Sequence, residues 1–235
     1  MDIKLLSIVI PVFNEESTLE KLISSIESIH LDFEKELIFI DDGSTDKSRE
    51  ILKKFEHKYK VLSQSKNKGK GSAIRRGFAE TTGDVILIQD ADLEYSPQEY
   101  KSLVQPIIDD LADVVYGSRF VTVFPRRVLY FWHYVANTGL TLLSNILTGL
   151  NLSDMETGYK VFTRQALREI LPCLVAQRFG IEPELTAQIA KHKFRVYEIG
   201  ISYHGRTYDD GKKIGWRDGV AAIWHIIKFN IFTRE

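Results

Sequence analysis

Three short stretches of this 235-residue chain concentrate carboxylates: Asn14-Glu15-Glu16, Asp41-Asp42-Gly43-Ser44-Thr45-Asp46 and Gln89-Asp90-Ala91-Asp92-Leu93-Glu94. A lone Asp-x-Asp carries little weight, since about one is expected by chance in a chain of this length. An acidic turn is also often only a helix cap. The informative point is that each stretch follows a run of strand-forming residues: Leu5 to Ile10, Glu36 to Ile40 and Val85 to Ile88. Carboxylates brought together raise one another's pKa, so a group of them calls for a cation. Oxygen donors without a multi-cysteine or paired-histidine set point to Mg2+ or Mn2+ shared with substrate phosphates, with Asp90 and Asp92 as ligands.

The elements that must position these groups alternate. Weaker strands are expected over Tyr59 to Ser63 and Asp113 to Tyr116, and helices over Ser17 to Ile29, Asp46 to Glu56, Ser72 to Thr81 and Pro97 to Leu111. Ser17 and Asp46 fit N-caps, and Pro97 fits a first helical turn. Short apolar strands separated by helices predict an α/β fold with a mostly parallel sheet covered on both faces. In such a sheet, ligands gather beyond the carboxyl ends of the strands, where the acidic stretches lie. The second half brings a turn at Asp154 to Gly158, helices from Arg164 and Glu182, a strand over Phe194 to Ser202 and an amphipathic helix from Trp216 to Phe232. No linker or repeat divides the chain, which reads as one domain over 1–235.

Other phosphate cradles fail on spacing. Lys68-Gly69-Lys70-Gly71-Ser72 lacks the P-loop pattern, and no Gly-x-Gly-x-x-Gly follows the first strand. The Gly69/Gly71 pair is read either as a donor contact or as the start of a helix. With 31 basic and 32 acidic residues the chain has no basic excess, which argues against a nucleic-acid partner. The single Cys173 excludes a disulfide framework and fits a reducing cytosol; the opening Met-Asp-Ile-Lys leads to no expectation of a signal peptide.

From Val128 to Leu152 there is no Asp, Glu, Lys or Arg. His133, Asn137, Thr141, Ser144, Asn145 and Thr148 recur at helical spacing, with Leu129, Trp132, Ala136, Leu140, Leu143, Leu147 and Leu150 on the other side. Two faces, with Arg126 and Arg127 at the entrance, suit either a helix lying in a membrane interface (about 128–150) or one packed on the core, rather than a span.

Read in order, Ile10-Pro11-Val12-Phe13-Asn14-Glu15, Ile40 to Asp46, Asn67-x-Gly69-x-Gly71-x-Ala73-x3-Gly77 and Gln89-Asp90-Ala91-Asp92 form a series. Gly117-Ser118-Arg119, Gly158-Tyr159-Lys160 and the basic loop before Trp216 continue it. With these motifs the chain resembles family 2 glycosyltransferases of the GT-A fold, in the dolichyl-phosphate-mannose and dolichyl-phosphate-glucose synthase-like branch, from about Leu5 to Asn230. The resemblance implies that Pro11, Asn14, Glu15 and Asp42 line a nucleoside pocket, with Gly69 and Gln89 also on the donor side. It implies that Asp90 and Asp92 hold the metal on the donor diphosphate, with Glu94 as a third ligand. Arg119 and Lys160 are then expected near an acceptor phosphate, and Arg206, Lys212 and Lys213 in a lid over the donor. Where relatives carry a Ser-Lys loop, this chain has Asp209-Asp210-Gly211-Lys212-Lys213.

The expected reaction is an inverting, metal-dependent transfer of a hexose from GDP-mannose or a UDP-sugar to a polyprenyl or dolichyl phosphate. A phosphate monoester is already ionised near neutral pH and needs no general base. A polysaccharide or other hydroxyl acceptor is the alternative, with Asp154 or Glu156 as base; otherwise these two are turn and cap residues. A non-catalytic nucleotide-sugar-binding scaffold is the reading from another class. The lipid acceptor would place the protein peripherally on the cytoplasmic face of a membrane through the helices at about 128–150 and 216–232, beside a membrane-spanning partner.

Overall fold

The computed structural model describes residues 1–121, 131–205 and 216–233. The first half runs β1 (Leu5–Val12), α1 (Leu19–Glu27), β2 (Glu34–Asp41), α2 (Ser48–Lys53), β3 (Lys60–Ser63), α3 (Lys70–Ala79) and β4 (Val85–Ile88). Then follow α4 (Tyr100–Ile108), β5 (Val114–Ser118), α5 (Phe131–Thr148), β6 (Lys160–Thr163), α6 (Arg164–Ile170), α7 (Ile181–Lys191), β7 (Val196–Gly200) and α8 (Trp216–Ile227).

The apolar runs form strands because successive side chains enter two different cores. Ile8, Ile10, Phe39 and Leu87 face the core covered by α1 and α4, while Val9, Ile38, Ile40, Ile86 and Ile88 face the one covered by α3, α6 and α7. Each of these nine side chains is 2% exposed or less, and burial of one such group contributes about 1.5–3 kcal/mol. The sheet order is β3-β2-β1-β4-β6-β5-β7. It is the expected mostly parallel sheet with helices on both faces and at the C-terminal end, in keeping with a GT-A fold.

One strand departs from the expectation. β6 lies antiparallel to both β4 and β5, pairing Leu87 with Val161 and Tyr116 with Lys160. Four residues directly after a turn are too few to show an alternation, so the sequence carries no strand signal there. Because β6 runs backwards, it starts at the edge where β4 and β5 end. Helix starts shift slightly: Thr18 rather than Ser17 precedes α1, and Asp46 stands outside α2 while its carboxylate accepts the Ser48 amide at 2.9 Å.

In α5 the polar row faces inwards. Thr141 and Ser144 are buried, Asn145 bonds both the amide and the carbonyl of Leu152, and Thr141 Oγ1 accepts the Met155 amide. Leu140, Leu143 and Leu147 lean on the second core, as a core-packed helix would. The outer side is nevertheless apolar: Phe131, Trp132, Val135, Leu142 and Ile146 are exposed, Trp132 by 74%. α8 packs on α5 and shows Val220, Ile223 and Trp224 to solvent. Among the described residues no helix is long and apolar enough to cross a membrane. Arg126 and Arg127 lie outside the described residues.

Candidate active site

The order β3-β2-β1-β4 changes direction between β1 and β4, and a crevice opens at such a switch point beyond the strand ends. The loops leaving β1 and β2 are laced together across it. Asn14 sits at a φ of 53°, a left-handed conformation that asparagine tolerates better than most residues. Its amide donates to Ser44 Oγ at 3.1 Å and its Oδ1 accepts the Thr45 amide at 2.8 Å. The Glu15 amide donates to Ser48 Oγ, and Pro11 is half-buried at the end of β1.

Asp42, expected in a nucleoside pocket, is 3% exposed and anchors the next loop: its two oxygens accept the Lys68 amide at 2.8 Å and the Gly69 amide at 2.7 Å. Gly69 has a structural reason of its own. Its φ is 99°, and a Cβ there would lie 2.5 Å from the Arg178 side chain and 2.6 Å from the Gln177 carbonyl.

After β4 comes the acidic turn. Asp90 Oδ1 lies 2.9 Å from Lys70 Nζ, and the same ammonium lies 2.9 Å from Glu182 Oε1 at the start of α7. Burial alone would lower the Lys70 pKa, but Asp90 and Glu182 hold it well above its ordinary value. Gly158 closes the other side, since a Cβ on it would stand 2.2 Å from Asp90 Oδ2. Asp92 Oδ1 accepts the Glu94 amide at 3.1 Å, across Leu93 at a φ of 61°. A left-handed leucine is strained, and such strain collects at functional turns.

Glu94, expected as a third ligand, follows in the same turn. Its Oε2 accepts the Tyr203 hydroxyl at 2.8 Å, and among the described residues no three His, Cys, Asp or Glu side chains converge as a metal-ligand group. Asp90 and Asp92 by themselves fit Mg2+ or Mn2+, which commonly take one or two carboxylates and complete their shell with phosphate oxygens and water.

Three further expectations change. Gln89 is completely buried behind Asp90, bonded to two tyrosines, so it faces away from any donor. Lys160 is 1% exposed, and its ammonium donates to the carbonyls of Met155 and Thr157. Burial lowers its pKa to about 8. Its length carries it under the 154–158 turn as an internal strut rather than towards an acceptor. Arg119 does reach the strand-end edge, yet its guanidinium is held by Asp154: Nε to Oδ2 at 2.6 Å and Nη2 to Oδ1 at 2.7 Å. Burial pushes the Asp154 carboxyl up, but the Arg119 charge and its hydrogen bonds outweigh this and hold it below the usual carboxylate range. Asp154 is thus held as the counter-ion of Arg119. Arg206, Lys212 and Lys213 lie outside the described residues.

Glu156 behaves differently from Asp154. It keeps partial exposure, and its Oε1 is buried with no hydrogen-bond partner among the described residues. Burial, then the nearby Glu182 carboxylate, raises its pKa to about 7. A carboxyl that changes charge near neutral pH is suited to take up a proton. Sequence reasoning missed Lys70 and Glu182. Lys70 stands within a glycine pair that lacks P-loop spacing, and Glu182 resembles the acidic first turn of an ordinary helix.

Residues 7–171 match the family model described as Glycosyl transferase family 2. The UDP-N-acetylglucosamine–dolichyl-phosphate N-acetylglucosaminyltransferase of Methanococcus voltae is 27% identical over 216 residues, covering 84% of this chain and 85% of that protein. The dolichol-phosphate mannosyltransferase of Pyrococcus furiosus is 37% identical over 212 residues, 88% of this chain but only 60% of that relative's length. Among solved structures, glucosyl-3-phosphoglycerate synthase from Mycobacterium tuberculosis, in complex with Mn2+, uridine diphosphate and phosphoglyceric acid, superposes with a TM-score of 0.75 at 21% identity. That match covers 99% of this chain and 80% of the other, a likeness of fold.

Proposed function

The chain belongs to glycosyl transferase family 2, and we propose that it moves a hexose from a nucleoside-diphosphate sugar to an acceptor oxygen with inversion at the anomeric carbon. The observation that carries this reading is the convergence of the loops leaving β1, β2 and β4 on the crevice beside Asp90 and Asp92. These two carboxylates would hold Mg2+ or Mn2+ on the donor diphosphate; the Mycobacterium tuberculosis enzyme of the same fold has been crystallised with either ion. When bound, the cation neutralises charge on the departing nucleoside diphosphate. In the transfer, a bond forms from the acceptor oxygen to the anomeric carbon as the bond to the diphosphate breaks. Lys70, beside Asp90, adds a second positive charge on the leaving-group side.

A hydroxyl-bearing acceptor is the preferred reading, because burial and the Glu182 charge suit Glu156 to take up a proton and because Arg119 and Lys160 are engaged internally. The fold relative crystallised with phosphoglyceric acid supports an acceptor other than a lipid. A polyprenyl phosphate is the second reading. It is supported by the dolichyl-phosphate substrates in the names of the sequence relatives, and by the exposed apolar sides of α5 and α8, which suit peripheral attachment to a membrane or to a membrane-spanning partner. The deciding experiment measures nucleoside diphosphate release from UDP-glucose, UDP-N-acetylglucosamine and GDP-mannose with Mn2+. Acceptors are a prenyl phosphate, the matching prenol and phosphoglyceric acid. Turnover with the prenyl phosphate alone overturns the hydroxyl reading. Nucleoside diphosphate release that is the same with and without Mn2+ overturns the metal assignment.

A further inference from the structure

Gln89 is the residue whose placement departs furthest from its expected role, and its surroundings give it another. It is 0% exposed at the end of β4. Its Oε1 accepts the Tyr100 hydroxyl at 2.7 Å and the Tyr159 hydroxyl at 2.6 Å, and its Nε2 donates to the main-chain carbonyl of Asp90 at 2.9 Å. Two phenol donors on one end of the amide dictate which end carries the oxygen, and so aim the nitrogen at Asp90. An apolar filling of the same volume can be nearly as stable as a buried amide with two phenols, because their hydrogen bonds largely restore what water supplied. What the polar hub adds is direction.

The same aromatic group forms the wall against which the Asp90 carboxylate lies. Tyr159 packs on Tyr95 at 4.8 Å between ring centroids, and the Tyr95 hydroxyl accepts the Gly158 amide at 3.0 Å. Gly158 is the residue whose missing Cβ leaves room for Asp90 Oδ2. The main chain of Asp90 is thus held from behind by Gln89, and its side chain is bounded by a turn that the neighbouring tyrosines fix.

We propose that Gln89 is a positioning residue: with Tyr100 and Tyr159 it tethers the Asp90 main chain and thereby sets the metal-binding carboxylate. This rests on the reading of Asp90 as a metal ligand. Groups that orient a ligand from behind typically change metal affinity by about 10–100-fold when removed.

The test uses the full chain and the triple variant Gln89→Leu/Tyr100→Phe/Tyr159→Phe, which removes the amide and both phenols together, so that of the hub's polar groups the Asp90 carbonyl alone loses its donor. Calorimetry with UDP and with GDP gives the Mn2+ concentration for half-maximal nucleotide binding, and thermal melting without metal reports the fold. The expected result is a melting temperature within a few degrees of wild type, a Mn2+ requirement raised by about tenfold, and unchanged nucleotide affinity at saturating Mn2+. A folded triple variant with the wild-type Mn2+ requirement overturns the proposal. If the triple variant does not fold, Tyr100→Phe and Tyr159→Phe decide by the same readout, a raised Mn2+ requirement supporting the tether and an unchanged one overturning it. Asp90→Asn runs beside them: if it keeps wild-type Mn2+-dependent binding, the metal assignment itself fails, and the tether with it.

Discussion

Replacing Arg119 by alanine separates a buried structural ion pair from an acceptor-facing cation. The guanidinium meets Asp154 through two bonds of 2.6 and 2.7 Å, with Asp154 fully buried and the Arg119 side chain 16% exposed. Arg119→Ala leaves the Asp154 charge, among the described residues, with the residue-119 amide at 3.1 Å and Asn137 Nδ2 also at 3.1 Å. Breaking one side of such a buried pair costs about 3–5 kcal/mol, which in a chain of this size lowers the melting temperature by about 6–20 °C. Urea unfolding at neutral pH, followed by circular dichroism, measures the loss directly. Asp154→Asn should lose a comparable amount, whereas Arg119→Met/Asp154→Leu should recover most of it, because no unpaired charge remains. The pH dependence has a definite sign. Asp154 has a folded pKa below its unfolded value, so the stability it contributes is present above the ordinary carboxylate pKa and is lost as pH falls through the lower folded value. An Arg119→Ala protein that unfolds within about 1 kcal/mol of wild type, the range of an exposed pair, would refute this reasoning. Turnover lost in such a protein would return Arg119 to the acceptor.

Glu156→Gln should lower turnover on a hydroxyl acceptor by about 100-fold or more. It should also abolish the rise in kcat/KM through pH about 7 that deprotonation of Glu156 produces, while leaving turnover on a prenyl phosphate nearly unchanged. Asp92→Asn should weaken Mn2+-supported donor binding in calorimetry without affecting metal-free binding; equal affinities for both proteins would remove Asp92 from the metal site. Trp132→Glu/Trp224→Glu alters two side chains that are 74% and 56% exposed, so the melting temperature should hold. Flotation with anionic liposomes at low salt should fall, and wild-type protein that never floats would leave these faces without a membrane role.

What was legible in the sequence is what is periodic or local. Val9 between Ile8 and Ile10, and Phe39 between Ile38 and Ile40, announce a strand buried on both faces, and from that follow the sheet and the edge at which Asp42, Asp90 and Asp92 emerge. β6 was illegible because Lys160–Thr163 is short and reversed, a fact of pairing rather than composition. Lys160 and Gln89 were misread for a related reason: a polar residue beside a motif resembles a ligand contact until its bonds to Met155, Thr157, Tyr100 and Tyr159 are seen. The same blindness hid the pairing of Arg119 with Asp154, thirty-five residues apart. Glu156 and Asp154, two positions apart in one turn, look equivalent as letters; burial pushes both carboxyls up, but Arg119 outweighs it at Asp154 while the Glu182 charge adds to it at Glu156.

The reversed course of β6 has an architectural consequence. A wholly parallel sheet offers only strand exits to its working edge, and every exit must be followed by a return crossover to the opposite edge. By turning one strand around, this chain adds an entrance, and the 154–158 turn arrives there without any crossover of its own. Everything assigned to the sugar donor up to Glu94 comes from exits in the first half, whereas Arg119, Asp154 and Glu156 come from one later exit and the entrance. On the proposed function, the carboxylates assigned to the metal and the candidate base Glu156 thus come from separate, consecutive blocks of sequence. A change of acceptor can be written into the second block while the first is left untouched, which is how a single scaffold accommodates many partners for the same group transfer.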